Sequence, residues 1–557
     1  MKKFLCVAMI LAISVNCIFA NGSKESVPTS NKSMEQPAWV EFGTPLSDVR
    51  VRQALRYAID MDTIVDTLFD GKAEVAKSLI PPGPYLSDDI MTYNYNPEKA
   101  KELLKEAQWP SDYTLDVVYY YGDQQTVDLM SVIQQYWLAV GVKSSFRKLE
   151  GDLGSQLWLA PEDRVNGPSV IKWDLAYAAI AALSNDEFIN RFTSRAVNNS
   201  TLPYVEGLDE LIDGAVTLDI TKQKQAFYSV EETMADNMYI MPLYHQLLFT
   251  FTSDKIDTKG TEFGNGQYPY NKNILNWTTS RSDKTLYTNG GPEEFFYYQV
   301  VNPGVSLYQE LVFDRLINTD ASLTPTEGLL AKSYNVSKDG KTITLNLRDD
   351  VKWHDGMPFT AEDVKFTIEL LIRCPGLHSN AFATFNSLEG AKEFKDGTSK
   401  GISGIMIDGN TVTLKFAKID PNALLTLSQW AILPKHLLEG ANPITLQQNS
   451  FWQNPVGTGP FKVGTVNMGN YCILDKNKDY FQKGTGNIEK VYLSSSYEND
   501  ANLVKNAEAG RIDYGYTKSV DDVNGVAAIE GMKIIPVNIR YTRLFFMNQY
   551  PHPANID

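Results

Sequence analysis

Residues 329–369 read LLAKSYNVSKDGKTITLNLRDDVKWHDGMPFTAEDVKFTIE, and they carry a strand, a turn and a capped helix in succession. Ile343, Leu345 and Leu347 alternate onto one face, the period of a half-buried strand. Asp355-Gly356 after them is a turn signal. His354-Asp355 also has the makings of a metal or acid/base pair, but the chain has only 5 His, scattered along it, which favours the turn. Thr360 and Asp363 form a capping box for a helix through Val364 and Leu371. Outward from there, NTVTLKF (410–416) alternates Val412, Leu414 and Phe416. Asp48 to Ile59 places Ala54, Leu55, Ala58 and Ile59 on one side of a helix, and Asp62 is expected to cap the next, which carries Ile64, Val65 and Leu68. Asn96-Pro97 opens a third, with Ala100, Leu103, Leu104 and Ala107 as its apolar stripe. The pattern is mixed α/β without a repeat.

At 557 residues the chain has room for two to four domains. A hydrophobic fraction of 43% and 29 Tyr belong to a globular protein. The net charge of −16 argues against nucleic acid as a partner. Two lysines, an apolar run from Phe4 to Ala20 and an abrupt polar change read as an export signal over 1–20, cleaved after Ile18-Phe19-Ala20; lipidation of Cys17 is the alternative. Residues 21–37 read as a flexible tether, and no later run is long enough to cross a membrane. Cys374 and Cys472 are expected as buried thiols, a single bridge between them being the alternative. GTGPFKVG (457–464) lacks the GK[ST] ending of a phosphate loop and reads as a tight turn opening a strand at Phe461. No HExxH or GxSxG occurs, so an enzyme is not expected, and no cofactor is implied.

Seven segments together carry a family resemblance: 329–369 above, AILPKH (431–436), NPVGTGPFKV (454–463), NKDYF (477–481), AEAGRIDYGYT (507–517), PLSDVRVRQALRYAIDMDTIVD (45–66) and YNPEKAKELLKEAQW (95–109). The chain resembles the extracytoplasmic solute-binding proteins of ABC importers, in family 5, which includes oligopeptide- and dipeptide-binding proteins. The resemblance implies an α/β, two-lobed periplasmic-binding-protein fold, class II-like and of cluster C, with a smaller inserted domain. It implies a monomeric receptor, periplasmic or at the cell surface, that captures peptides between its lobes for a permease and ATPase complex.

The segments stand in an unusual order. PLSDVRVRQAL ordinarily lies just past the middle of such proteins, whereas 283–304, DKTLYTNGGPEEFFYYQVVNPG, looks like a mature amino terminus. The chain therefore reads as a circular permutation. Lobe two is expected over 38–238, lobe one over 239–330 with 451–557, and the inserted domain over 331–450. AWVEFG (38–43) and RLFFMNQ (543–549) both resemble one strand that crosses between lobes; 541–548 is expected to fill the slot. One covalent crossing near residue 240, a looser hinge, and Asp557 close to the tether before residue 45 follow from that order.

In peptide-binding relatives an Asp in lobe two holds the ligand ammonium. The matching stretch is WDLAYAAIAALSNDEFINRF (173–192), and the expected position falls near Ala181 to Leu183, with Asn185 and Asp186 as the nearest polar candidates. Oligosaccharide, or a metal chelate, is therefore the rival ligand class, and a recombinant surface protein that binds nothing is a further alternative. The resemblance carries Gly291, Pro292 and Glu293 to a cleft-lining strand end, and Tyr244, Phe546 and Asn548 to the crossings. The alternative for the two aromatics is hinge core, and Trp430 is a further candidate.

Overall fold

The computed structural model describes residues 42–265, 269–270, 273–289, 295–303, 307–494 and 501–552. In chain order the strands used below are β1 (Ala73–Val75), β2 (Thr114–Tyr119), β3 (Lys143–Lys148), β4 (Leu175–Ala181), β5 (Ile240–Ser253), β6 (Thr285–Asn289), β7 (Ala331–Val336), β8 (Thr342–Leu347), β9 (Ile405–Asp408), β10 (Thr411–Lys415), β11 (Phe461–Asn467), β12 (Tyr471–Lys476), β13 (Lys490–Ser494), β14 (Tyr514–Thr517) and β15 (Met532–Met547). The α/β class expected from the sequence is the class observed.

One 11-stranded sheet runs β11-β12-β13-β6-β14-β5-β15-β4-β2-β3, with β1 paired to β5. Parallel strands sit toward its two ends: β2 with β3 and β4, and β6 with β13 and β14. Between them lie the two longest strands, β5 and β15, antiparallel to each other. Both reach from one end to the other, because β5 pairs with β14 through Phe249–Thr252 and β15 pairs with β4 through Tyr541–Met547. Residues 541–547 thus occupy a place in the sheet beside β4, and the chain beyond them stays at that end: Asn548 N–H donates to Asp174 O and Gln549 N–H to Thr201 O. Gly43 lies so close to Pro551 that a Cβ there would come within 3.2 Å of the proline Cβ. Residues 38–41 and Asp557, to which two expectations apply, lie outside the described residues.

The β2–β4 end buries two apolar layers, one on each face. Leu55, Leu104, Trp137, Tyr177, Tyr244 and Phe545 belong to one, and Trp173, Phe188, Phe227, Leu544 and Phe546 to the other. Helix α1 (Val49–Tyr57) contributes Val51, Ala54 and Leu55 to the first layer, as its apolar spacing predicts. Helix α2 (Met61–Leu68) is capped by Asp60, which accepts from Thr63 N–H, and not by Asp62. Asp60 keeps the non-helical backbone that a cap needs, while Asp62 sits inside the first turn, where it favours the helix dipole. Helix α3 (Pro97–Glu106) has Asn96 as its cap and Pro97 at the first position, as expected.

Strands β7, β8, β10 and β9 form a separate antiparallel sheet of 4, beside α4 (Ala361–Leu371), whose Thr360–Asp363 capping box is present. The turn at Asp355-Gly356 forms, with Gly356 at φ +91°, where a side chain is strained. His354 fixes this turn to the next segment: Nδ1 accepts from Gly457 N–H, and Nε2 lies 2.9 Å from Gly459 O. Burial holds its pKa at about 4, so the ring is neutral and structural. Gly457 and Gly459 lie against the backbone of Leu311–Val312, which leaves no room for a Cβ. Cys374 and Cys472 are buried and free.

Candidate functional site

Register places the site. β4 runs from Leu175, beside Met547, to Ala181, beside Tyr541, so its carboxyl end points at the middle of β15. β14 runs from Tyr514, beside Thr252, to Thr517, beside Phe249, so its carboxyl end points at the middle of β5. The two sets of parallel strands therefore aim at one place from opposite sides. There the β5–β15 register slips, between Asn538 and Thr542. Crevices outside the carboxyl ends of parallel strands, where strand order switches, are where α/β sheets take their ligands.

Arg543 occupies that place. It is 9% exposed, and its Nε donates to Gln246 Oε1 at 2.9 Å. Its guanidinium carbon lies 3.8 Å from the centre of the Tyr121 ring, 5.0 Å from Tyr541 and 5.8 Å from Tyr177. Burial works against the charge, but the phenol oxygens of Tyr541, Tyr121, Tyr177 and Tyr244 outweigh it, and the group stays a cation. Burial pushes the Tyr121 and Tyr177 hydroxyls well above the usual phenol range, so these rings face the cation as neutral dipoles. Arg543 Nη1 has no hydrogen-bond partner among the described residues.

The surroundings are aromatic and basic. Tyr120 and Tyr121 share a hydrogen bond of 2.8 Å, and the Tyr121 and Tyr541 hydroxyls stand 3.4 Å apart. Lys518, following β14, lies 4.9 Å over the Tyr541 ring. His245 on β5 is buried against Thr542 Oγ1 at 3.0 Å, and burial lowers its pKa to about 3, keeping it neutral.

The loop after β4 is tied across the crossing. Leu183 O accepts from Arg540 Nη1 and from Gln429 Nε2, each at 3.0 Å. The Glu187 carboxyl accepts from Asn380 Nδ2 and Ser184 Oγ. Burial, then the neighbouring Asp186, raises the Glu187 pKa to about 8, so the acid is protonated at neutral pH.

The residues expected from the sequence are dispersed around this point. Tyr244 pairs in register with Arg543 and shares a 2.7 Å hydrogen bond with Tyr177. Asn185 and Asp186 lie in the loop after β4, half-buried; Asp186 Oδ2 accepts from Asn190, while Oδ1 is buried with no partner among the described residues. Phe546 faces the other side of the sheet, against Trp158 and Arg191. Asn548 spends its amide internally, donating to Ser169 Oγ and Trp173 O and accepting from Tyr550 N–H. Trp430 is buried in the core shared with the four-stranded sheet. Gly291, Pro292, Glu293 and Cys17 lie outside the described residues. Sequence reasoning missed Arg543, Gln246 and Glu187; the available signal was a basic residue inside the apolar run RLFF.

A separate cavity of about 120 Å³ is lined by Arg56, Asp62, Ser78, Glu231 and Pro242. It involves the β2–β4 end alone, and its buried acid is already hydrogen-bonded by Ser78 and Ser87. Among the described residues no cluster of His, Cys, Asp or Glu is suited to a metal, and no helix is long and apolar enough to cross a membrane.

The chain matches the family described as bacterial extracellular solute-binding proteins, family 5 Middle, over residues 19–182 and 326–556. It belongs to that family. This family 5 chain is 31% identical over 224 residues to a Brucella ovis protein named as an ABC transporter peptide-binding protein, covering 40% of this chain and 39% of the other. It is 40% identical over 105 residues to the dipeptide-binding protein of Escherichia coli, covering 18% and 20%. Among solved structures, NikZ of Campylobacter jejuni in complex with Ni(L-His) matches at 27% identity and a TM-score of 0.37, over 45% of this chain and 46% of that one. The chain spans about two fifths of the length of the first curated relative it matches, which is covered over 39%.

Proposed function

We propose that this family 5 chain is the extracytoplasmic receptor of an ABC importer, taking an oligopeptide or dipeptide between two lobes and delivering it to a permease and ATPase complex. The observation that carries the reading is the convergence of both sets of parallel strands on the β5–β15 crossing. The Brucella and Escherichia coli relatives, named for peptide and dipeptide binding, favour peptide as the solute.

In this reading lobe two is 38–238, lobe one is 239–330 with 451–557, and 331–450 is an insertion, in circularly permuted order. The contact of Pro551 with Gly43 supports the permutation, since it brings the RLFFMNQ strand next to the PLSDVRVRQAL helix that follows it in the family's usual order. The pairing of 541–547 with β4, and the hydrogen bonds of Asn548 and Gln549 to Asp174 and Thr201, are in keeping with a segment that crosses from lobe one to lobe two. The chain is exported by a signal over 1–20, works as a monomer, and holds its solute near Tyr244, Asn185 and Asp186. The apolar Ala181–Leu183, where peptide binders carry an Asp, favours an oligosaccharide as the second reading.

Thermal shift of the full chain against peptides, oligosaccharides and nickel chelates tests the proposal. A ligand at a hundred times its Kd stabilises by about 2.7 kcal/mol. A shift with peptides is expected. A shift with sugars alone selects the second reading, and a flat response across the panel supports a protein that binds nothing.

A further inference from the structure

Arg543 is a buried cation with no counter-charge among the described residues. It stands in β15 directly before Leu544 and Phe545, both fully buried. Gln246 and the phenols of Tyr121, Tyr177, Tyr244 and Tyr541 make up its surroundings, and no carboxylate pairs with it among the described residues. The chain carries 67 Asp and Glu, so carboxylates are not scarce. Buried guanidinium groups are ordinarily paired, because desolvating a lone charge is costly and neutral dipoles offset the cost only in part. Other buried arginines have their donors taken up: Arg315 pairs with Glu310 at 2.7 Å, and Arg52, with no ion pair among the described residues, donates to the carbonyls of Leu46, Ser47, Asn237 and Met238.

Three details mark the missing partner as external. Nη1 is unsatisfied. The position is the convergence point of the sheet's carboxyl ends, and not a remote part of the core. The rings over it, Tyr121 and Tyr541, are half-buried and not enclosed in the core. A second cation lies on the same cover, with Lys518 4.9 Å over the Tyr541 ring.

We propose that Arg543 is the anchor for a carboxylate of the bound solute, received on Nη1 between the Tyr121 and Tyr541 rings. The inference rests on the receptor reading above and deepens it: the acidic end of the solute, rather than its ammonium, is held at the crossing strands. Two sources share that chemistry, a peptide C-terminus and an acidic side chain. A charge-assisted hydrogen bond of this kind is lost when the carboxylate becomes an amide, which lowers affinity about tenfold or more.

Isothermal titration of the full chain with trialanine, trialaninamide and Ala-Glu-Ala-amide tests this, alongside maltotriose and trigalacturonate. Trialanine is expected to bind at least about tenfold tighter than its amide. Arg543→Gln should bring acid and amide to equal affinity, and Arg543→Lys should keep part of the preference. Recovery of affinity with Ala-Glu-Ala-amide assigns the site to an acidic side chain; no recovery assigns it to the C-terminus. Preference for trigalacturonate over maltotriose, lost in Arg543→Gln, supports the anchor with a sugar acid as solute. Equal binding of trialanine and trialaninamide to the unmodified chain overturns the anchor and leaves the receptor reading standing; this comparison needs no variant to fold. Binding of maltotriose alone overturns the anchor and the peptide reading together.

Discussion

Glu231 makes the stability of this protein depend on pH in a direction opposite to that of most carboxylates. It lies on the helix Ile220–Asp236, 1% exposed, accepting from Ser78 Oγ at 2.7 Å and Ser87 N–H at 2.9 Å. Burial is the largest influence and raises its pKa from 4.5 to about 8, against the pull of those two hydrogen bonds. Between those values the folded chain keeps a proton that the unfolded chain releases. Stability from this group is therefore fully present below pH 4.5 and declines as pH rises to about 8. At about 1.4 kcal/mol per pH unit, the loss across that window reaches up to about 5 kcal/mol. Glu231→Gln mimics the protonated acid in shape and hydrogen bonding and has no charge to bury. In urea unfolding followed by tryptophan fluorescence, the variant should lie within about 1 kcal/mol of the unmodified chain at pH 5. At pH 8 it should be more stable by several kcal/mol. A constant offset between the two proteins from pH 5 to 9 would refute the reasoning, because it would mean that Glu231 is ionised in the fold throughout.

Gly457→Ala would place a Cβ 1.8 Å from Val312 O, a backbone atom that cannot yield, so a loss of more than about 3 kcal/mol or failure to fold is expected in thermal unfolding. Asp513→Asn removes the charge opposite Arg281 from a carboxylate that also accepts from Ser253 Oγ, and should cost about 3–5 kcal/mol by the same measurement. Cys374 and Cys472 are buried, and burial raises the Cys472 thiol to about 12, so neither should react with a thiol reagent before unfolding, and reductant should leave the melting temperature unchanged. Glu187→Gln should weaken the dependence of stability on pH between about 4.5 and 8 in the same sense as Glu231→Gln, though less, because Glu187 is only partly shielded from solvent.

Local elements were legible wherever one residue type has one physical use. The Thr360–Asp363 capping box, Asn96-Pro97, the Asp355-Gly356 turn and the alternation of β8 and β10 all form as read. Asp62 was mistaken for a cap because Asp60, two residues earlier, offers the same side chain, and only backbone geometry separates them. RLFF reads as part of a strand, but its sequence does not say that Arg543 lies on the side of Tyr177 and Tyr244. That depends on pairings between residues hundreds of positions apart. The buried acids Glu187 and Glu231 left no mark in the sequence, since a carboxyl in an amphipathic helix or a loop ordinarily faces water.

The place of β15 between β4 and β5 has a consequence for biosynthesis. Asn548 meets Ser169 across 379 positions, so the β2–β4 region leaves the ribosome with β4 as a bare sheet edge. At 5–20 residues per second the matching strand arrives roughly twenty seconds or more later. Throughout that interval an apolar, unpaired strand is open to self-association. Holding the early chain open until β15 emerges is thus a task for chaperones, and a short peptide with the sequence of 541–552 would be a natural decoy for that vacant edge.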